Sequence, residues 1–272
     1  MRRYYSQRKK EGPSLILNNL KELVFATFKD FENSGFFQES FGYHCVDAGY
    51  VPGLVGDDIE NYCLRSLRKT GLWPLSEKYP SYSENDLFDV IELLFDVVSK
   101  PMEGDYHSYC DCGWHYNTFD KSSGQEEFRK EINMYLQDYE PGYVLSSRGK
   151  ILLLGEKGLT HLLEAPLPKY DPANVEEKVE LAVLKYRSRH SNINTRREAV
   201  RQLADVLEYI RPRLAKRISK KVENDLFTIA NNFAIRHHNQ VQQTDYDSNW
   251  LSWFFYLYLS TIHLFLRLSK SQ

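Results

Sequence analysis

Two groups of residues in this chain have types and spacings that could do chemistry. The first is Ile235-Arg236-His237-His238-Asn239-Gln240. Val222, Leu226, Ile229 and Phe233 precede it at spacings of four, three and four, which is one face of an α-helix. Arg236 is the next position on that stripe, so a permanent charge is expected on the packed side, where it is costly without an anionic partner. A guanidinium can neutralise a phosphoryl group bidentately. The imidazoles of His237 and His238 can serve as acid or base toward a ribose 2′-hydroxyl. The plain alternative is that Arg236 closes the helix, its charge favoured by the macrodipole, with the histidines as polar caps.

The second group is His107-x-x-Cys110-x-Cys112-x-x-His115. Imidazole and thiolate are zinc ligands, but Cys-x-Cys is tight for a zinc knuckle and no second ligand pair follows at a fixed distance. Cys45 (beside His44) or Cys63 could join only through tertiary contact. The expectation is ordinary loop packing, with no metal and no cofactor. His263, in an apolar segment, reads as a hydrogen-bonded core histidine, and packing beside Arg236 stays open. The sequence contains no Walker loop, dinucleotide fingerprint, Gly-x-Ser-x-Gly or His-Glu-x-x-His, so nucleotide hydrolysis, hydride transfer and the common hydrolases have no support.

The elements that must position these groups are mostly helical. Periodicity predicts helices at about Ser14–Phe31, Ile59–Leu67, Asn85–Val98 and Gln125–Tyr139, with a polar aromatic loop over His107–Lys121. Gly142–Gly155 reads as a β-hairpin turning at Ser147-Arg148-Gly149. Residues 1–165 then form an α+β domain, and the proline-rich 166–172 a linker. Residues 173–272 form a four-helix bundle, with helices over Ala173–Arg189, from the capping box Thr195–Glu198, Ser219–His237 and Asn249–Leu268. The second of these buries Val200, Leu203, Leu207 and Ile210. The fold class is therefore mainly α, a helical bundle preceded by a helical domain with a small hairpin.

Composition supports a globular chain: of 272 residues, 42% are hydrophobic and 26% charged. Its net charge of −2 is unevenly spread. Twelve Lys or Arg between Lys185 and Lys221 face only Glu198, Asp205 and Glu208, the kind of belt a phosphate backbone needs. The plain alternative is a solvated face paired with the acidic remainder. Trp250–Leu266 carries no Asp, Glu, Lys or Arg, but its Ser, Thr and His and its central aromatics fit a bundle core or subunit interface better than a membrane span. The N-terminus lacks an apolar stretch after its charges and the chain has only four cysteines, so a cytoplasmic, reduced protein is expected.

Asn231–Asn239, Asp245-Tyr-Asp and the Trp/Phe/Tyr-rich last helix together resemble the HEPN superfamily, in particular the HEPN modules of AbiJ-type abortive-infection proteins. Trp114–Asp120, Phe128–Asn133 and the Gly142 hairpin resemble the domain that precedes HEPN in such proteins. The resemblance implies a metal-independent endoribonuclease of antiphage or stress defence, working as a homodimer through its C-terminal helices, with RNA as substrate and a regulatory partner protein as a further expectation. Arg236 matches the family's arginine and His237 its polar residue. Arg196, Arg197, Arg201, Arg213, Lys216, Arg217, Lys220 and Lys221 would guide the RNA. The family's distal histidine is absent, since positions 241 to 243 are Val-Gln-Gln. Either His237 or His238 takes that role, or the module binds RNA or a partner without cutting.

Overall fold

The structure, a computed structural model, describes residues 15–156, 158–216, 218–232 and 248–270. The chain is mainly helical, as its periodicity predicts, and among the described residues its strands form only two-stranded antiparallel sheets. It divides into two compact units, residues 1–151 and 152–272. The expected linker, 166–172, thus lies inside the second unit, where Leu167 and Tyr170 pack against the core. Its first two prolines keep the backbone irregular but do not prevent Leu167 and Tyr170 from being partly buried.

The first unit opens with α1 (Leu17–Asn33), the short α2 (Gln38–Phe41) and a hairpin of β1 (Tyr43–Cys45) and β2 (Gly49–Val51). After α3 (Ile59–Leu67) and the short α4 (Leu75–Lys78) comes α5 (Glu84–Val97). A capping box starts α5: Ser83 Oγ accepts from the Asp86 amide at 3.2 Å, and the Ser83 amide donates to the Asp86 carboxylate at 3.1 Å. From α5, Leu87, Val90, Ile91 and Leu94 enter the core, where they are joined by Leu20, Val24 and Phe28 of α1.

The segment expected as a loop over 107–121 is instead half of a hairpin, β3 (Lys100–His107) paired with β4 (Gly113–Asp120). Its side chains are exposed or half-exposed on both faces, so no apolar alternation marked it. Next is α6 (Lys121–Leu136), which begins earlier than expected because Asp120 caps it, accepting from the Ser123 amide at 3.0 Å. Its Phe128, Ile132 and Leu136 are buried, and Phe37 lies between Phe28 and Phe128 at centroid distances of 5.1 and 6.4 Å. The buried Asn133 holds β5 (Tyr143–Leu145) through both backbone groups of Leu145. Pairing of β5 with β6 (Ile151–Leu153) is the hairpin expected from the sequence, with Gly149 at φ 75° in its turn.

The second unit contains α7 (Thr160–Glu164), a π-turn at Pro172–Glu176, α8 (Glu177–Arg187), α9 (Ile193–Leu214), α10 (Lys220–Asn232) and α11 (Ser248–Lys270). Val200, Leu203, Leu207 and Ile210 of α9 are buried as expected, against Phe254, Phe255, Leu259 and Ile262 of α11 and Ala182 of α8. Tyr186 stacks on Phe255 at 3.9 Å and its hydroxyl meets Ser252 Oγ at 2.6 Å. The start of α9 differs from the expected capping box. Asn192 is the cap, its Oδ1 accepting from the Thr195 amide at 3.0 Å, which places Thr195 inside the helix.

Phe128 is wholly buried, with the rings of Phe31 and Phe37 edge-on to it at 5.5 and 6.4 Å. Phe128→Ala should cost about 3–5 kcal/mol of stability, seen as a lower urea midpoint at unchanged m-value; a loss under 1 kcal/mol would contradict this packing.

Candidate functional site

Arg236, His237 and His238 lie outside the described residues. The stripe that leads to them is only partly packed inward. Val222 is 54% exposed and Leu226 half-buried, whereas Phe227 is 5% exposed and marks the inner side of α10. Apolar identity at position 222 therefore did not fix the rotation of this helix. His263 is a core residue on α11, 4% exposed, and its Nδ1 has no hydrogen-bond partner among the described residues. Burial, and secondarily the Arg267 charge, holds its pKa below the usual imidazole value.

The basic belt is not uniform. At the start of α9, Arg196 and Arg197 are half-buried, with the Arg196 guanidinium 5.3 Å from the Tyr186 ring centroid. Arg201 is exposed one turn on. Midway, acidic partners intervene: Arg211 Nε donates to Glu223 at 2.8 Å, and its Nη1 lies 3.5 Å from Glu208. The remaining cations gather at the corner between α9 and α10. Arg213, Lys216, Lys220 and Lys221 are exposed there, with Arg213 Nη1 also donating to the Tyr170 hydroxyl at 2.5 Å. Arg217 lies outside the described residues. Positions 213 to 221 hold five cations and no carboxylate, so this corner carries the densest positive charge of the belt.

In the first unit the folding of two hairpins brings together donors that sequence spacing alone did not. Cys45, at the end of β1, meets His107 at the end of β3, with Sγ 3.8 Å from Nδ1. Cys112, just before β4, meets His115 within it, with Sγ 3.3 Å from Nε2. One donor atom from each of these four residues lies within 4.8 Å of all the others. That arrangement runs against the expectation of plain loop packing, because a set of two thiols and two imidazoles could hold a metal ion. Cys110, grouped with them by sequence, is exposed and does not join. Cys63 is a core thiol on α3, pushed up to about 11 by burial, with the Glu60 charge adding to it, so it stays protonated. Sequence reasoning missed Asp47 altogether. Its carboxylate lies 3.3 Å from His107 Nε2, and its only signal was its place two residues after Cys45.

No protein-family model, curated protein or solved structure matches this chain.

The second unit offers a test of its buried imidazole. Protonating His263 is easier in the unfolded chain, so its contribution to stability is complete above the unfolded pKa of about 6.5 and is lost as pH falls through and below it. Urea unfolding across this range should show a shallower pH dependence for His263→Leu than for the unsubstituted protein. Parallel curves would mean that the imidazole is not buried neutral.

Proposed function

We propose that the chain acts on RNA as a HEPN-type module: a metal-independent endoribonuclease of a defence system, whose second unit carries the reaction and forms a homodimer. The observation that carries the RNA-directed part is the α9–α10 corner, where Arg213, Lys216, Lys220 and Lys221 are all exposed. Such a cluster neutralises phosphates irrespective of sequence. The outer side of α11 supports the dimer. Trp250, Trp253, Leu264 and Leu268 are 45%, 45%, 52% and 37% exposed, and they recur along one side of the helix.

In the reaction, His237 or His238 takes the proton of the 2′-hydroxyl as its oxygen bonds to phosphorus. Arg236 offsets the charge on the non-bridging oxygens. The bond to the 5′-oxygen breaks and that oxygen accepts a proton, leaving a 2′,3′-cyclic phosphate and a 5′-hydroxyl. One sequence feature favours a second reading, an RNA- or protein-binding module without cleavage: Val-Gln-Gln occupies positions 241 to 243, where the family's distal histidine falls. By length and composition α11 could also cross a membrane, but its core side chains Phe254, Phe255 and Ile262 give a packed helix the same character.

Labelled total RNA with the purified dimer in EDTA tests this directly. Cutting with cyclic ends is expected, falling by roughly 10²–10³ in Arg236→Ala. An RNA pool left intact by both folded, dimeric proteins selects the binding module. For binding itself, the combined Lys216→Gln, Lys220→Gln, Lys221→Gln protein should lower the slope of log affinity against log salt by about 2 for single-stranded RNA. An unchanged slope would place the RNA elsewhere.

A further inference from the structure

The geometry points to a structural zinc centre in the first unit, ligated by Cys45, His107, Cys112 and His115. It stands independently of any activity on RNA. Hydrogen bonding would account for two separate thiol–imidazole pairs, but it gives no reason for the pairs to converge. Here they do, since all four donor atoms lie within 4.8 Å of one another although Cys45 is remote in sequence from the other three. A tetrahedral zinc ion with sulfur at about 2.3 Å and nitrogen at about 2.0–2.1 Å separates neighbouring S and N donors by about 3.6 Å. The two thiol–imidazole separations, 3.8 and 3.3 Å, fall on either side of that value.

The donor set selects the ion. Two sulfurs and two imidazole nitrogens suit zinc, while magnesium and calcium require oxygen. Two thiolates also cancel the charge of the ion, which suits a site whose Cys45 is 7% exposed. Four protein ligands leave no open position, so the centre is structural instead of hydrolytic.

Neighbouring residues orient the ligands. The Asp47 carboxylate lies 3.3 Å from Nε2 of His107, on the far side of the ring from the Nδ1 that faces Cys45, where it can orient the imidazole once Nδ1 binds the ion. The Tyr43 ring stacks on His115 at 4.3 Å and 25°, fixing the plane of the second imidazole. Cys110 is turned away by a left-handed backbone, with φ 49° there and 55° at Asp111. The need for an ion is equally physical. β1 and β2 have three residues each, and β3 and β4 expose side chains on both faces. Two-stranded hairpins are marginal in water unless something holds them, and an ion joining the ends of both does so.

Zinc analysis of the purified full-length protein, expressed with added zinc and passed through gel filtration, should give one zinc per chain. Cobalt exchange should yield thiolate charge-transfer bands and the visible bands of a tetrahedral ion. Both readings use the unsubstituted protein, so they decide the matter even if a ligand variant fails to fold. Cys112→Ser and His115→Gln should lose the ion, whereas Cys110→Ser keeps it. Asp47→Asn should weaken zinc near the low end of the roughly 10–100-fold range for such groups, because 66% of its side chain is exposed. A folded protein with zinc far below one per chain and no tetrahedral cobalt bands overturns the proposal. So does a Cys110→Ser protein that loses zinc as fully as Cys112→Ser.

Discussion

The first unit depends on places where backbone meets backbone too closely for any side chain. A Cβ at Gly42 would lie 2.0 Å from the Val51 carbonyl oxygen, and one at Gly53 would lie 2.4 Å from the Ser40 carbonyl group. These two glycines seat the β1–β2 hairpin directly against α2. Gly124 does the same for α6 and the root of β3, where a Cβ would come within 2.5 Å of the Lys100 amide nitrogen. The Gln38 side chain then ties α2 to β4, donating to the Trp114 carbonyl at 2.9 Å and accepting from the Tyr116 amide at 3.2 Å. Both hairpins are thus registered at their roots on helices that carry the core. Their far ends, with Cys45 on one and His107, Cys112 and His115 on the other, meet as a consequence. A larger residue at Gly42 or Gly53 would displace Cys45 without touching it.

How much of this was legible in the sequence follows from where side chains are buried. The span of α3 and the stripe of α5 could be read because one face is apolar and periodic, and Leu87, Ile91 and Leu94 are indeed the buried residues. β3 and β4 could not, since neither face packs on a core and backbone pairing leaves no mark in residue type. The candidate metal centre divides in the same way. His107, Cys112 and His115 were visible as a local cluster, but Cys45 and Asp47 come from a hairpin whose placement depends on Gly42 and Gly53. Cys110 was grouped with them because spacing does not reveal a left-handed turn. At α10, Val222 and Phe227 stand about 140° apart around the helix at about 100° per residue, and the spacing of apolar residues put Val222 on the packed side where the structure has Phe227.

The second unit places charge where the first places donors. α9 has a buried side of Val200, Leu203, Leu207 and Ile210, so its cations are confined to what remains of the helix surface. Where Glu208 and Glu223 lie near, Arg211 is spent on ion pairs; beyond Leu214 no carboxylate intervenes until Glu223 itself. One further cation sits inside. Arg187 is 3% exposed, its Nε donates to the Leu153 carbonyl at 2.8 Å, and burial lowers its pKa. The Glu164 charge offsets part of that burial, and Arg187 closes the end of α8 against Leu153 within this unit.

The proposed zinc centre and the proposed RNA cleavage draw on different residues, and that difference governs how chelation must be understood. A tetrahedral ion with four protein ligands has no vacant position for water or phosphate, so it cannot activate a nucleophile. The proposed reaction uses a guanidinium and imidazoles of the second unit, none of which binds the ion. Brief exposure to EDTA should then leave the chemistry intact, while prolonged chelation removes the anchor of two hairpins in the first unit. Activity lost slowly, in step with loss of bound zinc and of folded structure, would report on stability; activity lost at once, with zinc still held, would require a second metal that this donor set does not provide.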